Sequence, residues 1–357
     1  MVDRGVDVLL LSVGPDLPWL IGYEAMPLER LTMLVVPRDD PPTLVIPRLE
    51  LPRVTTAEAA GVVLRAWDET EDPVDIVVER VGAARVLGVG DHTWARFVVE
   101  LLRRLPGRTL RSASEVTAPL RARKDAAEIA ALTEAAAAAD RVAAALQGGE
   151  IPLVGRTEAE VSAELSRRLL AEGHSRVNFA IVAAGAHAAS PHHEPGGRVI
   201  TPGEVVLCDF GGRWPTDQGA AYCSDITRCV HVGDPPAELV ETYAVLREAQ
   251  ETAVEAAVAG TTGAEVDAVA RGRIAAAGLG EHFVHRTGHG IGVEEHEEPY
   301  IVATNHEPLE VGHAFSVEPG IYLPGRWGLR LEDIVVVTDE GPRRLNRADH
   351  ELVVLDR

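Results

Sequence analysis

At 357 residues with 46% hydrophobic side chains, the chain is long enough for two domains that each bury a core. Its 55 acidic and 34 basic residues give a formal charge of -21, which repels nucleic acid and anionic membrane surfaces and argues against both as partners. A solvated acidic surface that aids solubility accounts for the excess.

Near the start, an apolar run from Val8 to Val13 is flanked by Asp3 and Asp7 and closed by Pro15 and Asp16. With no basic segment before it, the run reads as a strand rather than a signal peptide. Nowhere do ~18 consecutive apolar residues occur, so no membrane-spanning helix is expected. Apolar runs at 8–11, 31–36, 44–46 and 86–89 predict strands and 93–105 predicts a helix, the rhythm of a small α/β domain. The composition changes at Arg121-Ala122-Arg123-Lys124-Asp125, ahead of an alanine-rich stretch over 128–146 with high helix propensity. The boundary is set near Ala118, giving domains 1–118 and 119–357.

The C-terminal part reads as two similar blocks. Helices over 124–146 and 157–171 are followed by strands, then helices over 237–258 and 263–277 are followed by strands again. Thr157 ahead of Glu158 and Glu160 is an N-cap signal, and Pro235-Pro236 opens the third helix. Gly148-Gly149, Gly173 and Gly278 mark helix ends. The parallel order suggests an internal duplication. Three cysteines, Cys208, Cys223 and Cys229, crowd one stretch in odd number without regular spacing, a poor match to a disulfide framework that favours a reducing, cytoplasmic location.

Five segments set acids or histidines inside apolar, strand-like text, where a charge needs a partner or a metal. V-V-L-C-D-F-G-G and Y-C-S-D-I-T-R-C-V carry Asp209 and Asp225, and a hairpin between them brings two carboxylates side by side. Such a pair repels unless one holds a proton or a cation neutralises both. H-R-T-G-H-G-I-G-V-E-E-H-E supplies His285, His289 and His296 among glycines that allow close backbone approach. Glu318 follows an apolar run in F-S-V-E-P-G-I-Y. In G-L-R-L-E-D-I-V-V-V, Arg330 and Glu332 are two apart and are expected to share one face of a strand, with Asp333 pointing away. Arg330 is expected to neutralise or orient Glu332. Each segment alone has a bland reading: an exposed strand-end acid, a histidine-bearing surface loop, an ordinary Arg-Glu surface pair. Together, four carboxylates and one histidine form a mainly hard oxygen set suited to two divalent ions such as Mn²⁺. A-A-S-P-H-H-E-P adds His192 and His193 in a loop, one of which is able to point into the site.

In this order, P-H-H, D-F-G, Y-C-S-D-I-T-R, H-R-T-G-H-G-I-G-V-E-E-H-E, V-E-P-G-I-Y and L-R-L-E-D resemble the pita-bread metallopeptidase family of Xaa-Pro dipeptidases (prolidases), Xaa-Pro aminopeptidases, methionine aminopeptidases and metal-free creatinases. The resemblance spans almost the whole chain and implies an α+β fold: a small creatinase-like α/β domain, then a pseudo-twofold catalytic domain. It implies that Asp209, Asp225, His289, Glu318 and Glu332 hold two divalent ions, Mn²⁺ first with Co²⁺ or Zn²⁺ as alternatives, bridged by Asp225 and Glu332. His192, His285 and His296 are implied to line the pocket and, with Glu318, to take part in catalysis. Arg330, Thr227 and Tyr322 are expected to contact substrate or support the ligands. All five ligand positions are filled, unlike in creatinases, which favours hydrolysis by metal-bound hydroxide. The segment S-V-G-P-D-L-P-W-L-I-G-Y is similar to the prolidase and aminopeptidase P branch, implying a small peptide substrate, Xaa-Pro, and a homodimer. A non-peptide amide or C-N substrate, or a non-catalytic member of the fold, are the alternatives.

Two departures stand out. Asp209 and Asp225 are 16 apart, longer than the usual hairpin, with W-P-T-D-Q inserted at its tip. No Arg lies between His296 and Glu318, where prolidases commonly provide one for the dipeptide carboxylate; Arg330, Arg326 or a partner-subunit residue is left to fill that role.

Overall fold

The computed structural model describes residues 1–54, 61–217 and 219–356. They form two compact units, Met1–Arg121 with Thr216–Ala221, and Ala122–Pro215 with Tyr222–Arg357.

The first unit is a six-stranded mixed sheet of β1 (Val8–Leu11), β2 (Met33–Pro37), β3 (Thr43–Pro47), β4 (Val63–Trp67), β5 (Val86–Val89) and β6 (Thr109–Ser112), in the order β4-β3-β2-β1-β5-β6. Every residue of β1 is buried, because alternate side chains feed separate cores on the two faces. Val8 and Leu10 pack with α2 (Pro73–Val81) and α3 (Ala95–Arg104). Leu9 and Leu11 pack with α1 (Asp16–Ile21) and the start of α4 (Ser114–Ala122). The edge strands β4 and β6 and helix α2 were not anticipated. V-L-R-A-W and T-L-R-S are mostly half-exposed and carry no continuous apolar run. Helix α2 is instead marked by its cap, in which the Asp72 side chain accepts the Val74 N–H and Pro73 follows.

The second unit opens with α5 (Ala126–Gln147), capped by a reciprocal Asp125/Glu128 box, and α6 (Glu158–Ala171). These helices pack on a sheet of β7 (Arg176–Ala184), β8 (Val205–Pro215), β9 (Ala221–Cys223), β10 (Ile226–Val232) and, from the far C-terminus, β18 (Val353–Leu355). Alanines at 135, 136, 138, 139 and 143 are fully buried, so α5 approaches the sheet closely. The second block repeats the plan with α7 (Ala237–Ala256) and α8 (Gly263–Ala276) on a sheet ordered β12-β11-β13-β16-β17. Its strands are β11 (Gly288–Gly290), β12 (Glu297–Ile301), β13 (Ala314–Val317), β16 (Asp333–Thr338) and β17 (Gly341–Arg344), with a separate hairpin of β14 (Gly320–Leu323) and β15 (Trp327–Arg330). The duplication shows in detail: Thr157 with Glu160 and Thr262 with Glu265 form matching capping boxes. Each threonine also makes an isolated antiparallel bridge, to Val199 and Pro308 respectively. The architecture is α+β, a small α/β unit followed by a pseudo-twofold one. No described helix is long and apolar enough to cross a membrane.

Candidate metal centre

Strand pairing in the second unit brings the acids together. β8 and β10 run antiparallel with Asp209 opposite Thr227, and Asp225 immediately precedes β10. In the other half β13 pairs with β16, with Val317 opposite Asp333. The next residues outward, Glu318 and Glu332, therefore lie beside one another at the end of the ladder. His289 is the middle residue of β11, between Gly288 and Gly290. A Cβ at either glycine would collide with a carbonyl oxygen, of Ser316 or of Glu298, so both positions need glycine for the strands to close around His289.

One donor atom each from Asp225, His289 and Glu332 lie within 4.8 Å of one another. His289 Nε2 is 3.2 Å from Glu318 Oε1 and 3.7 Å from Asp225 Oδ2. Its Nδ1 faces the Gly290 carbonyl at 3.1 Å, which turns Nε2 toward the acids. The His289 N–H donates to Ser316 Oγ at 3.0 Å, and that hydroxyl donates to Glu318 Oε1 at 3.1 Å.

Asp209, Asp225, His289 and Glu332 are each less than a tenth exposed. Burial first, then the neighbouring Glu332, Asp209 and Glu318, pushes the Asp225 carboxyl well above the usual range. Glu332 is pushed up likewise, by burial and then by Glu318 and Asp209. Burial also raises Asp209, against the pull of Arg330. Glu318 alone escapes: against burial, His289, His285 and Arg330 hold it down to about 2. The cluster is short of positive charge, and three of its oxygens, Asp209 Oδ1, Asp225 Oδ1 and Glu332 Oε1, are buried with no hydrogen-bond partner among the described residues. Buried acceptors without donors are costly unless a cation meets them, so this donor set fits divalent metal.

Arg330 corrects one expectation. β15 stops at Arg330 and β16 starts at Asp333, so Arg330 and Glu332 do not share a strand face. The guanidinium reaches Asp209 instead, Nη2 to Oδ2 at 2.5 Å. Its Nε donates to Thr227 Oγ1 at 3.0 Å, and that hydroxyl donates to Glu332 Oε2 at 2.6 Å, so Glu332 is touched only through Thr227. Its Nη1 donates to the Tyr322 hydroxyl at 2.9 Å, which lies 2.8 Å from His285 Nε2. His285 Nδ1 donates to the Arg286 carbonyl at 2.7 Å, which leaves Nε2 as acceptor. Arg330 is the common donor of this network, to Asp209 on one side and through the Tyr322 hydroxyl to His285 on the other.

His296 stacks edge-on against His289, ring centroids 4.1 Å apart, and both His296 and His192 are exposed. Arg326 is engaged elsewhere, by a two-pronged pair with Glu238. The reading from sequence passed over Ser316, whose hydroxyl links His289 to Glu318. It also passed over His174, whose Nε2 lies 2.8 Å from the hydroxyl of Ser224, next to Asp225. A serine inside F-S-V-E-P is the one signal for the former; nothing local marks the latter.

A buried acid cluster short of cations, on a pseudo-twofold α+β unit, is the construction of a metal-dependent enzyme. The chain belongs to metallopeptidase family M24, whose model matches residues 130–339, and the creatinase/prolidase N-terminal domain matches residues 1–123. It is a metal-dependent peptidase. The probable dipeptidase PepE of Mycobacterium tuberculosis (strain ATCC 25618 / H37Rv) is 45% identical over 356 residues, 99% of this chain and 93% of that protein. The Xaa-Pro dipeptidase of Lactobacillus helveticus is 36% identical over 364 residues, 99% and 96% of the two chains. The crystal structure of dipeptidase PepE from Mycobacterium ulcerans superposes with a TM-score of 0.93 at 45% identity, covering 100% of this chain and 95% of that one.

Proposed function

We propose that the protein is an Xaa-Pro dipeptidase that works with two divalent ions, Mn²⁺ foremost, held by Asp209, Asp225, His289, Glu318 and Glu332. The observation that carries this is the set of three buried carboxylate oxygens without donors inside a cluster of four acids. When bound, the ions supply Lewis-acid polarisation of the scissile carbonyl and acidify a water. Asp225 and Glu332 are the two acids that would be shared between the ions, as the family resemblance implies. The Xaa-Pro preference rests on the relatives named above, among them a dipeptidase of that specificity.

Glu318 is the proton carrier. Placed beside His289 at the edge of the cluster, its carboxylate would take a proton from the attacking water and hand it to the proline nitrogen of the leaving group. The exposed rim histidines, His192 and His296, face incoming substrate and donate to the oxygen that gains charge. His285 works through Tyr322 and Arg330, orienting Asp209 without touching substrate. We further read the domains as 1–118 and 119–357, the assembly as a homodimer and the location as cytoplasmic, the last in keeping with three buried, unpaired cysteines.

The test is reconstitution with Mn²⁺ and measurement of proline release from Xaa-Pro dipeptides. Glu318→Gln, assayed at a Mn²⁺ concentration that keeps the centre loaded, is expected to lower kcat by about 10²- to 10⁴-fold. Cleavage confined to Xaa-Pro-Xaa tripeptides would make the enzyme an aminopeptidase. Bound metal without either activity would overturn the substrate assignment.

A further inference from the structure

The start of α6 gathers three donor groups that the acid cluster does not use. Glu158, the first residue of that helix, is fully buried, and its Oε1 accepts the Ala184 N–H at 2.9 Å. His187 lies in the short 3-10 turn Gly185–Ala189 after β7, with Nδ1 3.0 Å from both Glu158 oxygens. His193 enters from the following loop, with Nε2 2.8 Å from Glu158 Oε2. The two rings sit 4.4 Å apart, and one donor atom from each of the three residues lies within 4.8 Å of the others. The adjacent charges, Arg198 and Glu204, are paired with each other, so the side chains that meet the Glu158 carboxylate are the two imidazoles.

This donor set differs in kind from the acid cluster. Two imidazole nitrogens and one carboxylate are the ligands of a borderline-soft ion, whereas four carboxylates and one histidine suit a hard one. A tetrahedral ion with bonds of about 2.0–2.1 Å spaces its ligand atoms by about 3.3–3.4 Å, so the observed 2.8–3.0 Å separations open by only a few tenths of an ångström. Neutral imidazoles need only change tautomer, moving the proton to the far nitrogen of each ring, to turn lone pairs on His187 Nδ1 and His193 Nε2 toward the ion. His187 is 41% exposed at its side chain, which opens the fourth position to water.

We propose that Glu158, His187 and His193 form a separate binding site for Zn²⁺ or a similar borderline-soft divalent ion, joining the start of α6 to the loop that carries His192. The loop is held at its other side by Arg330, whose Nη1 donates to the Pro191 carbonyl at 3.3 Å. An ion at this site thus braces the segment between α6 and Arg330 and fixes where His192 projects, without touching substrate.

The proposal does not rest on the substrate assignment and is tested by position. Crystals of the Mn²⁺-loaded full chain are soaked in Zn²⁺, and anomalous differences are recorded on both sides of the zinc absorption edge for the unaltered protein, His187→Ala and His193→Gln. A zinc-specific peak bounded by the three side chains is expected in the unaltered protein and in neither variant. In solution, one equivalent of retained Zn²⁺ is expected to weaken at least about 10-fold in each variant, the loss that even outer-shell partners cause. No peak at that position while the Asp225–His289–Glu332 group holds metal, or a peak unchanged in both variants, overturns it. Should His187→Ala fail to fold, His193→Gln decides alone.

Discussion

Removing the Arg330 guanidinium should destabilise the metal-free protein through charge rather than packing. Its Nη2 is 2.5 Å from Asp209 and its Nε 4.0 Å from Glu318. At an effective dielectric of about 20 these contacts correspond to about 6–7 and about 4 kcal/mol of attraction. The desolvation of a guanidinium that is only 2% exposed offsets much of this. Breaking a buried pair from one side leaves a net loss of about 3–5 kcal/mol, which we expect for Arg330→Met. Asp209→Asn removes the charge that Arg330 answers. The double variant should therefore lose less than the sum of the two single losses, by about 2–3 kcal/mol. The assay is urea unfolding of the metal-free protein near neutral pH for all four members of the cycle. Reconstitution with Mn²⁺ should shrink the Arg330→Met loss, because a cation then meets Asp209. Single costs that add to within about 0.5 kcal/mol would refute charge compensation and leave Arg330 a packing residue.

Two further outcomes follow from the scaffold. Gly288→Ala drives a Cβ into the Ser316 carbonyl and should displace His289; retained Mn²⁺ measured by elemental analysis should fall below half of that bound by the unaltered protein, and full retention would sink the account of strand closure. His174 is 4% exposed and its pKa is pushed down to about 4 by burial, from an unfolded value near 6.5. The neutral ring is the folded form, so its contribution is complete above about pH 6.5 and is lost as pH falls toward 4, about 3 kcal/mol in all. Stability measured against pH should accordingly decline less steeply over this window in His174→Gln, and identical slopes would count against it.

The acids and histidines of the candidate centre are legible in the sequence because each is a charge set beside apolar strand text, and the burial of Asp209, Asp225, His289 and Glu332 follows from that setting. What joins them is not. Arg330 was expected beside Glu332 because two-residue spacing places side chains on one face of a strand, but the chain leaves β15 at Arg330 and turns before β16. The partner it meets, Asp209, is 121 residues away, on β8, a distance that no local pattern encodes. The edge strands β4 and β6 were lost for a related reason: half-exposed strands have no need of an apolar run. In the sequence Glu158 is marked only as a neighbour of the Thr157 cap. Its burial against His187 and His193 depends on where β7 delivers the turn after it.

The strongest discrimination between structural and functional acids comes from two neighbours buried to the same depth, Glu332 and Asp333. They meet two other neighbours, Thr227 and Arg228, one to one: the Thr227 hydroxyl donates to Glu332 at 2.6 Å, and Arg228 Nη2 donates to Asp333 at 2.8 Å. Asp333 is further answered by Gln250 at 3.1 Å, Arg344 at 3.1 Å and His350 at 2.7 Å. Against burial, Arg228 and His350 hold the Asp333 carboxyl below its ordinary range, and it remains ionised within the scaffold. Glu332 receives one neutral hydroxyl, keeps one oxygen without a donor, and is pushed well above its range by burial and nearby acids. Equal burial with opposite outcomes means that burial alone does not mark a candidate metal ligand; the shortage of protein cations does. An acid that the protein leaves without a cation, as at Glu332 and again at Asp225, is the kind of acid that suits a metal ion.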